Sequence, residues 1–256
     1  MAQLTYLERG LTVLETRLQG PLQPGPGGRR TEVRPFITLG RETGAGATTI
    51  GNLLVPMLDE TLGEKDQGWV FLDKNLLAHA LARHQLPERL ADYLPEDKIS
   101  ETKSVIGELM GMHPSIWQLE HQVAEAILQL AHVGRVVLAG RAAYLITQSL
   151  PGGFHVKLVA PLETRIPRMM ALLGCDAAAA AAHIRKTDRA RRRYVKTRFG
   201  RDIDDTHLYD LVINTERISP ASAASLIVAA LRDRLTGLRE EMGAETRPAA
   251  ASVAGR

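Results

Sequence analysis

Five short apolar runs are spaced along the chain, with helix-patterned stretches between them. They are PFITLG at 35–40, GWVFLD at 68–73, RVVLAG at 135–140, FHVKLVA at 154–160 and YDLVINT at 209–215. Strands that alternate with helices predict a parallel sheet covered on both faces. The intervening helices are expected at 48–62, across much of 74–132 with breaks at Pro87, Pro95 and Pro114, and at 141–149 and 162–172. Two more are expected, from Asp176 to about Phe199 and over 219–236. The fold class is therefore α/β, with about five parallel strands. Six alanines at 177–182 need no function, because alanine is the best helix former and Asp176 can cap the helix they open.

Outside this pattern the chain divides into appendages. Leu4, Leu7, Leu11, Leu14 and Leu18 recur at spacings of three and four, which reads as an amphipathic helix over residues 1–20. Its apolar stripe offers a homodimer contact, with simple coverage of the domain as the alternative. Residues 21–33 include PLQPGPGGRR, a Pro/Gly linker. The main domain is expected over 34–236, followed by a disordered tail at 237–256.

Composition narrows the function class. Apolar residues are 45% and charged residues 24%, the balance of a soluble globular chain, and aromatics are 4%. A net charge of +3 suits an anionic ligand and is too small to imply nucleic acid. The one cysteine, Cys175, excludes an intrachain disulfide. Glu8, Arg9, Glu15 and Arg17 interrupt any leader-like apolar core, and no apolar run approaches the ~20 residues of a membrane helix. A cytoplasmic setting without membrane partners is the expectation.

The first strand runs into a glycine-rich turn, RETGAGATT, that opens a helix. Strand, glycine turn and helix in that order make an anion site, because glycine lets the backbone approach and helix N–H groups point at the ligand. Against the Walker A pattern G-x-x-x-x-G-K-[ST], Gly46 takes the second glycine, Arg41 the first, Ala47 the lysine and Thr48 the Ser/Thr. The shape matches and the lysine is absent. Arg41, Gly44, Ala45, Gly46, Ala47, Thr48 and Thr49 are the candidate phosphate-binding residues. An ordinary strand-to-helix turn is the other reading of this segment alone.

Six segments in order resemble the cytidylate kinase-like family, P-loop relatives of bacterial cytidylate kinase. They are PFITLGRETGAGATTIGNLL, FLDKNLLAHAL, VVLAGRAAYLI, HVKLVAPLETRIPRMM, TDRARRRYVKTRFG and YDLVINTERIS. The resemblance covers about residues 35 to 236. It implies a P-loop NTPase-like fold with a helical lid and monophosphate-binding region. It also implies ATP-dependent transfer to a nucleoside monophosphate, CMP foremost, with Mg²⁺ near Thr48. By resemblance, Gly44 to Thr49 hold the donor phosphates. Asp73, Arg141, Arg165 and Arg168 serve the acceptor side or the helix before the lid, and Asp188 and Arg192 belong to the lid. Cytidylate kinases carry an aspartate after the arginine that matches Arg141, and here that residue is Ala142.

Bottom-up, Arg141 follows the carboxyl end of a strand, where open α/β sheets bind ligands. A cation is also poorly placed as a mere helix opener. Asp73 is either a ligand-side carboxylate or an N-cap. Arg165 and Arg168 lie three apart, where a solvated face is the alternative. Between Arg185 and Arg201 stand nine basic residues and one acid, Asp188. Arg185, Asp188, Arg189, Arg192 and Lys196 fall at helical offsets that place them on one face, which could close as a lid and supply the charge that Ala47 does not. Asp188, Arg189 and Arg192 are the candidate catalytic set. A solvated face and an RNA contact are the alternatives, the latter disfavoured because aromatics are not interleaved.

Overall fold

The computed structural model describes residues 34–62, 68–73 and 116–244. The expected N-terminal helix, the linker, the helical stretch at 74–115 and the last part of the tail lie outside the described residues. Within them the chain forms β1 (Phe36–Arg41), α1 (Ala47–Leu62), β2 (Val70–Leu72), α2 (Ile116–Val133), β3 (Val136–Ala139) and α3 (Ala143–Ile146). It continues as β4 (Gly153–Val159), α4 (Leu162–Leu173), α5 (Ala177–Phe199), a 3₁₀ turn (Thr206–Leu208), β5 (Leu211–Asn214) and α6 (Pro220–Ala244).

The five strands make one sheet in the order β2-β3-β1-β4-β5, and every neighbouring pair is parallel. The expected parallel α/β sheet is thus the observed one. β1 is central, with Leu39 level with Ala139 on one side and Val156 on the other. Each strand feeds both faces in alternation. Ile37, Leu39, Val137, Val156 and Leu158 pack against α1 and α6, together with Ile50, Leu54, Leu58, Ile227 and Leu231. Phe36, Val136 and Leu138 pack the other way, on Ile127 and Leu130 of α2. Burial on both faces is why β1 to β4 are apolar runs and not alternating patterns, whereas the edge strand β5 leaves Val212 and Asn214 exposed.

Two elements differ from expectation. The helix expected at 141–149 is a single turn, Ala143–Ile146. Gly140, Arg141 and Ala142 all have positive φ, at 96°, 56° and 51°, so the chain after β3 makes a left-handed bend before a helix can begin. α6 runs on to Ala244, past the boundary expected at 236. The expected cap is present: the Asp176 side chain accepts from the Ala179 amide at 2.7 Å and opens α5. Among the described residues no helix is long and apolar enough to cross a membrane.

Candidate functional site

The carboxyl ends of β1, β3 and β4 converge where the strand order reverses, the usual ligand position in an open parallel sheet. The loop at 42–46 leaves β1 there. Gly44 and Gly46 sit at φ 83° and 88°, the left-handed region that costs an L residue about 1–2 kcal/mol. Gly44 is also crowded, because a Cβ on it would stand 3.1 Å from both Arg165 Cβ and Met169 Cγ.

Three successive loop carbonyls are tied back from below. Arg165 Nη1 donates to Thr43 O at 3.2 Å, Arg168 Nη1 to Gly44 O at 3.4 Å, and Thr215 Oγ1 to Ala45 O at 3.1 Å. Arg168 is itself held by Thr215 O at 2.7 Å. The first bond of α1 runs from Ile50 N to Gly46 O. The amides of Ala47, Thr48 and Thr49 would need the carbonyls of residues 43–45, which are engaged elsewhere, and they have no acceptor among the described residues. With the helix dipole behind them, these N–H groups make an end of α1 whose electrostatics favour an anion. Thr48 and Thr49 are exposed at that end and Ala47 is buried.

Asp188 holds the loop from the side. Its Oδ1 accepts from Thr43 N at 2.8 Å and Thr43 Oγ1 at 2.7 Å. Its Oδ2 pairs with Arg165 Nη1 at 2.6 Å, and both side chains are about one-tenth exposed. Arg191 completes the group, donating to Thr43 Oγ1 at 2.7 Å and approaching Asp188 Oδ1 at 3.3 Å. The inward face of α5 is therefore Ile184, Asp188, Arg191 and Val195, of which Asp188 and Arg191 reach the loop. Of the three candidate catalytic residues, Asp188 is spent on the loop and Arg189 is exposed away from it. Arg192 lies half-exposed, with Nε 3.0 Å from Asp204 Oδ2. The helix is rotated by about one residue from the expected face because Thr43, 145 positions away, claims Asp188.

Nor does α5 stand off as a free lid. Ala180 and Ile184 pack on Met169 and Ile166 of α4, and Val195 packs among Ala142, Tyr144 and Leu208. Arg165 and Arg168, grouped by sequence with the acceptor side, lie beneath the glycine loop and hold the carbonyls of Thr43 and Gly44. Arg141 is buried, at 6% exposure, in the left-handed bend after β3. Asp73 follows β2, whose Leu72 is level with Leu138, so it stands at the same sheet edge as Arg141. Arg41 bridges the two halves, since its guanidinium lies against Gly140 where a Cβ would clash.

The open cleft between the loop, β4, α5 and the 200–205 segment is lined by Arg41, Glu42, Lys157, Asp188, Arg191, Arg192, Ile203 and Asp204. Lys157 escaped the sequence reading. Its mark there is a lone cation inside an apolar strand, FHVKLVA. Its Nζ donates to Asp204 Oδ1 at 2.8 Å and Ile203 O at 2.7 Å, 5.4 Å from the Tyr209 ring centroid. Burial alone would raise the Asp204 carboxyl, but the hydrogen bonds from Lys157 and Arg192 leave it below its ordinary value. Deeper on this face His155 Nδ1 lies 2.8 Å from Thr38 Oγ1, and burial pushes the imidazole below its ordinary value. No group of three or more His, Cys, Asp or Glu that could hold a metal occurs among the described residues.

The cytidylate kinase of Methanopyrus kandleri is 29% identical over 206 residues, covering 76% of this chain and 92% of that enzyme. The cytidylate kinase of Methanocaldococcus jannaschii is 23% identical over 198 residues, with coverages of 77% and 97%. For that of Pyrococcus horikoshii the identity is 28% over 120 residues, and the chain spans 60% of its length. A solved structure from Eubacterium ventriosum superposes with a TM-score of 0.56 at 18% identity, covering 78% of this chain and 99% of that one, so the two share a fold. The cytidylate kinase-like family profile matches residues 36–217, well over half the chain, and this protein belongs to that family.

Proposed function

We propose that the protein transfers the terminal phosphoryl group of ATP to a nucleoside monophosphate. One observation carries the reading: the carbonyls of Thr43, Gly44 and Ala45 are tied away, so that the opening amides of α1 are presented to an anion. In the proposed reaction an acceptor phosphate oxygen attacks the γ-phosphorus in line. The bond to the β,γ-bridging oxygen breaks, and ADP and a nucleoside diphosphate leave. Catalysis is then positioning and electrostatic stabilisation.

The donor phosphates lie on Gly44 to Thr49. Mg²⁺ fits as a nucleotide-borne ion, because it keeps several waters and needs few protein ligands beside phosphate oxygens. The Thr48 hydroxyl at the start of α1 is the group that would hold it, and the ion would neutralise charge on the phosphates. Arg141 and Asp73 face the acceptor, which we take to be a cytidylate-type monophosphate. Ala142, in place of the aspartate of cytidylate kinases, leaves the base less tightly specified. Arg165, Arg168 and Asp188 are positioning residues. Arg41, Arg191 and Arg192 supply the cations that Ala47 does not.

Ala47 itself favours a second reading, a nucleotide-binding regulator that does not turn over. RNA binding through the arginines of α5 has weaker support. Gly46→Val decides whether the loop is the site. A Cβ on Gly46 would meet only Ile50 Cδ1, at 3.9 Å, so the cost is the strain of an L residue at φ 88°, about 1–2 kcal/mol, which a domain stable by about 5–15 kcal/mol can bear while nucleotide binding is lost. ATP titration of the variant tests this, and wild-type affinity would place the phosphate site elsewhere. Coupled turnover with a panel of monophosphates separates kinase from regulator.

A further inference from the structure

One wall of the cleft is a lysine that the sheet buries. Lys157 is level with Gly40 in the β1–β4 register and its side chain is 6% exposed. An ammonium has three N–H donors. Its acceptors among the described residues are Ile203 O and Asp204 Oδ1, both from the short segment that joins α5 to the 3₁₀ turn. The same Asp204 carboxylate accepts from Arg192 Nε through its other oxygen. Asp204 and Arg192 are about half-exposed. A carboxylate on a connecting segment thus satisfies one buried cation and one open cation at the mouth of a phosphate-binding fold.

Four cations and three carboxylates line the cleft, and Arg165 stands behind Asp188 and Glu42 as a fifth cation. The surplus of two positive charges matches a phosphate dianion. The half-exposed Asp204–Arg192 contact is weak and easily broken. Lys157, in contrast, cannot be left without an anion once buried. Its partner can be exchanged but not simply removed. A phosphate oxygen on Lys157 and two more on the Arg192 fork would form charge-assisted bonds of the kind Asp204 makes now.

We propose that this cleft is an anion-exchange site, in which a phosphate group displaces the Asp204 carboxylate from Lys157 and Arg192 and Asp204 turns out to solvent. No phosphoryl transfer is required, so the site stands whether the chain is a kinase or a regulator.

The test is calorimetric titration with inorganic phosphate and pyrophosphate at low ionic strength. The full chain carrying Gly46→Val is used, so that the loop contributes nothing. Asp204→Asn removes the competing carboxylate and should tighten binding about three- to tenfold, the range of a partly exposed ion pair. Adding Lys157→Met to that variant should weaken it at least tenfold. A purely structural Asp204 would give unchanged or weaker binding on substitution, and either result overturns the proposal. So does the absence of phosphate binding throughout. Should Asp204→Asn fail to fold, the exposed Arg192→Gln decides: at least fivefold weaker binding supports the site, and unaltered affinity refutes it. Loss of ATP turnover in the wild type would count against the kinase reading alone.

Discussion

Asp188→Ala is the sharpest test of how the loop is held. The carboxylate accepts two bonds from Thr43, at 2.8 and 2.7 Å, and pairs with Arg165 at 2.6 Å. Both side chains are about one-tenth exposed, so water does not replace what alanine removes. Arg165 would stay buried with only the longer contact to Glu42, 3.7 Å from its Nε, to offset its charge. Breaking a buried pair from one side costs about 3–5 kcal/mol. For a domain of this size each kcal/mol moves Tm by about 2–4 °C, so Tm should fall by roughly 10 °C. Urea unfolding with a double-mutant cycle checks the cause. Arg165→Met should cost several kcal/mol alone, whereas Asp188→Ala/Arg165→Met should cost less than the sum, with a coupling of about 2 kcal/mol or more. The two single variants should also weaken ATP binding at least tenfold, because the carbonyls beneath the amides are no longer fixed. If Asp188→Ala costs under about 1 kcal/mol, or the cycle is additive, the network does not organise the loop.

Other consequences are as direct. Arg192→Ala should cut kcat about ten- to a thousandfold with a smaller effect on ATP affinity, and Arg193→Ala, exposed on the same helix, should do little; steady-state kinetics on the pair decides. His155 is held below its ordinary value of 6.5, so the unfolded chain binds its proton first as pH falls. Its contribution is intact above about 6.5 and is lost progressively from there down to the depressed folded value. Urea midpoints measured between pH 7.5 and 5 should show that slope, and His155→Gln should flatten it; an unchanged slope assigns the titration to another group. Gly51→Ala would drive a Cβ into the Phe71 ring, where α1 packs on β2, and should cost about 1–3 kcal/mol by thermal denaturation without altering nucleotide chemistry.

The strands were legible because each is an apolar run, and four of the five are largely buried on both faces; the edge strand β5 exposes Val212 and Asn214. The shape of the glycine turn was legible because left-handed turns at a helix opening select glycine, and Gly44 and Gly46 are where the backbone needs it. The orientation of α5 was not. Helical periodicity groups Asp188 with Arg189 and Arg192, and the contacts of Thr43 and Arg165, with the packing of Ile184 and Val195, turn Asp188 and Arg191 inward. The places of Arg165 and Arg168 were hidden for a related reason. Nothing near them in the chain states that the carbonyls of Thr43 and Gly44 are their acceptors. Lys157 carried a sign in the sequence, a charge in the middle of an apolar strand, but its counterion Asp204 lies 47 positions on. The one-turn α3 reflects a bend at Gly140–Ala142 that helix propensity does not register.

The sheet order also sets a timetable for assembly. β1 pairs with β3 and β4 and not with the next strand in the chain: Ile37 meets Val137, and Phe36 meets Gly153. Closing loops on the order of a hundred residues costs about 4 kcal/mol of chain entropy before any pairing is gained. At ribosomal speeds of about 5–20 residues per second, β1 is made roughly 5–20 s before its first partner. Through that interval both of its edges are open, and the glycine loop it carries has neither Arg165 nor Asp188 to shape it. The glycine loop is thus made well before the residues that give it its shape. Refolding should be correspondingly slow for a domain of this size, limited by the long-range strand pairing.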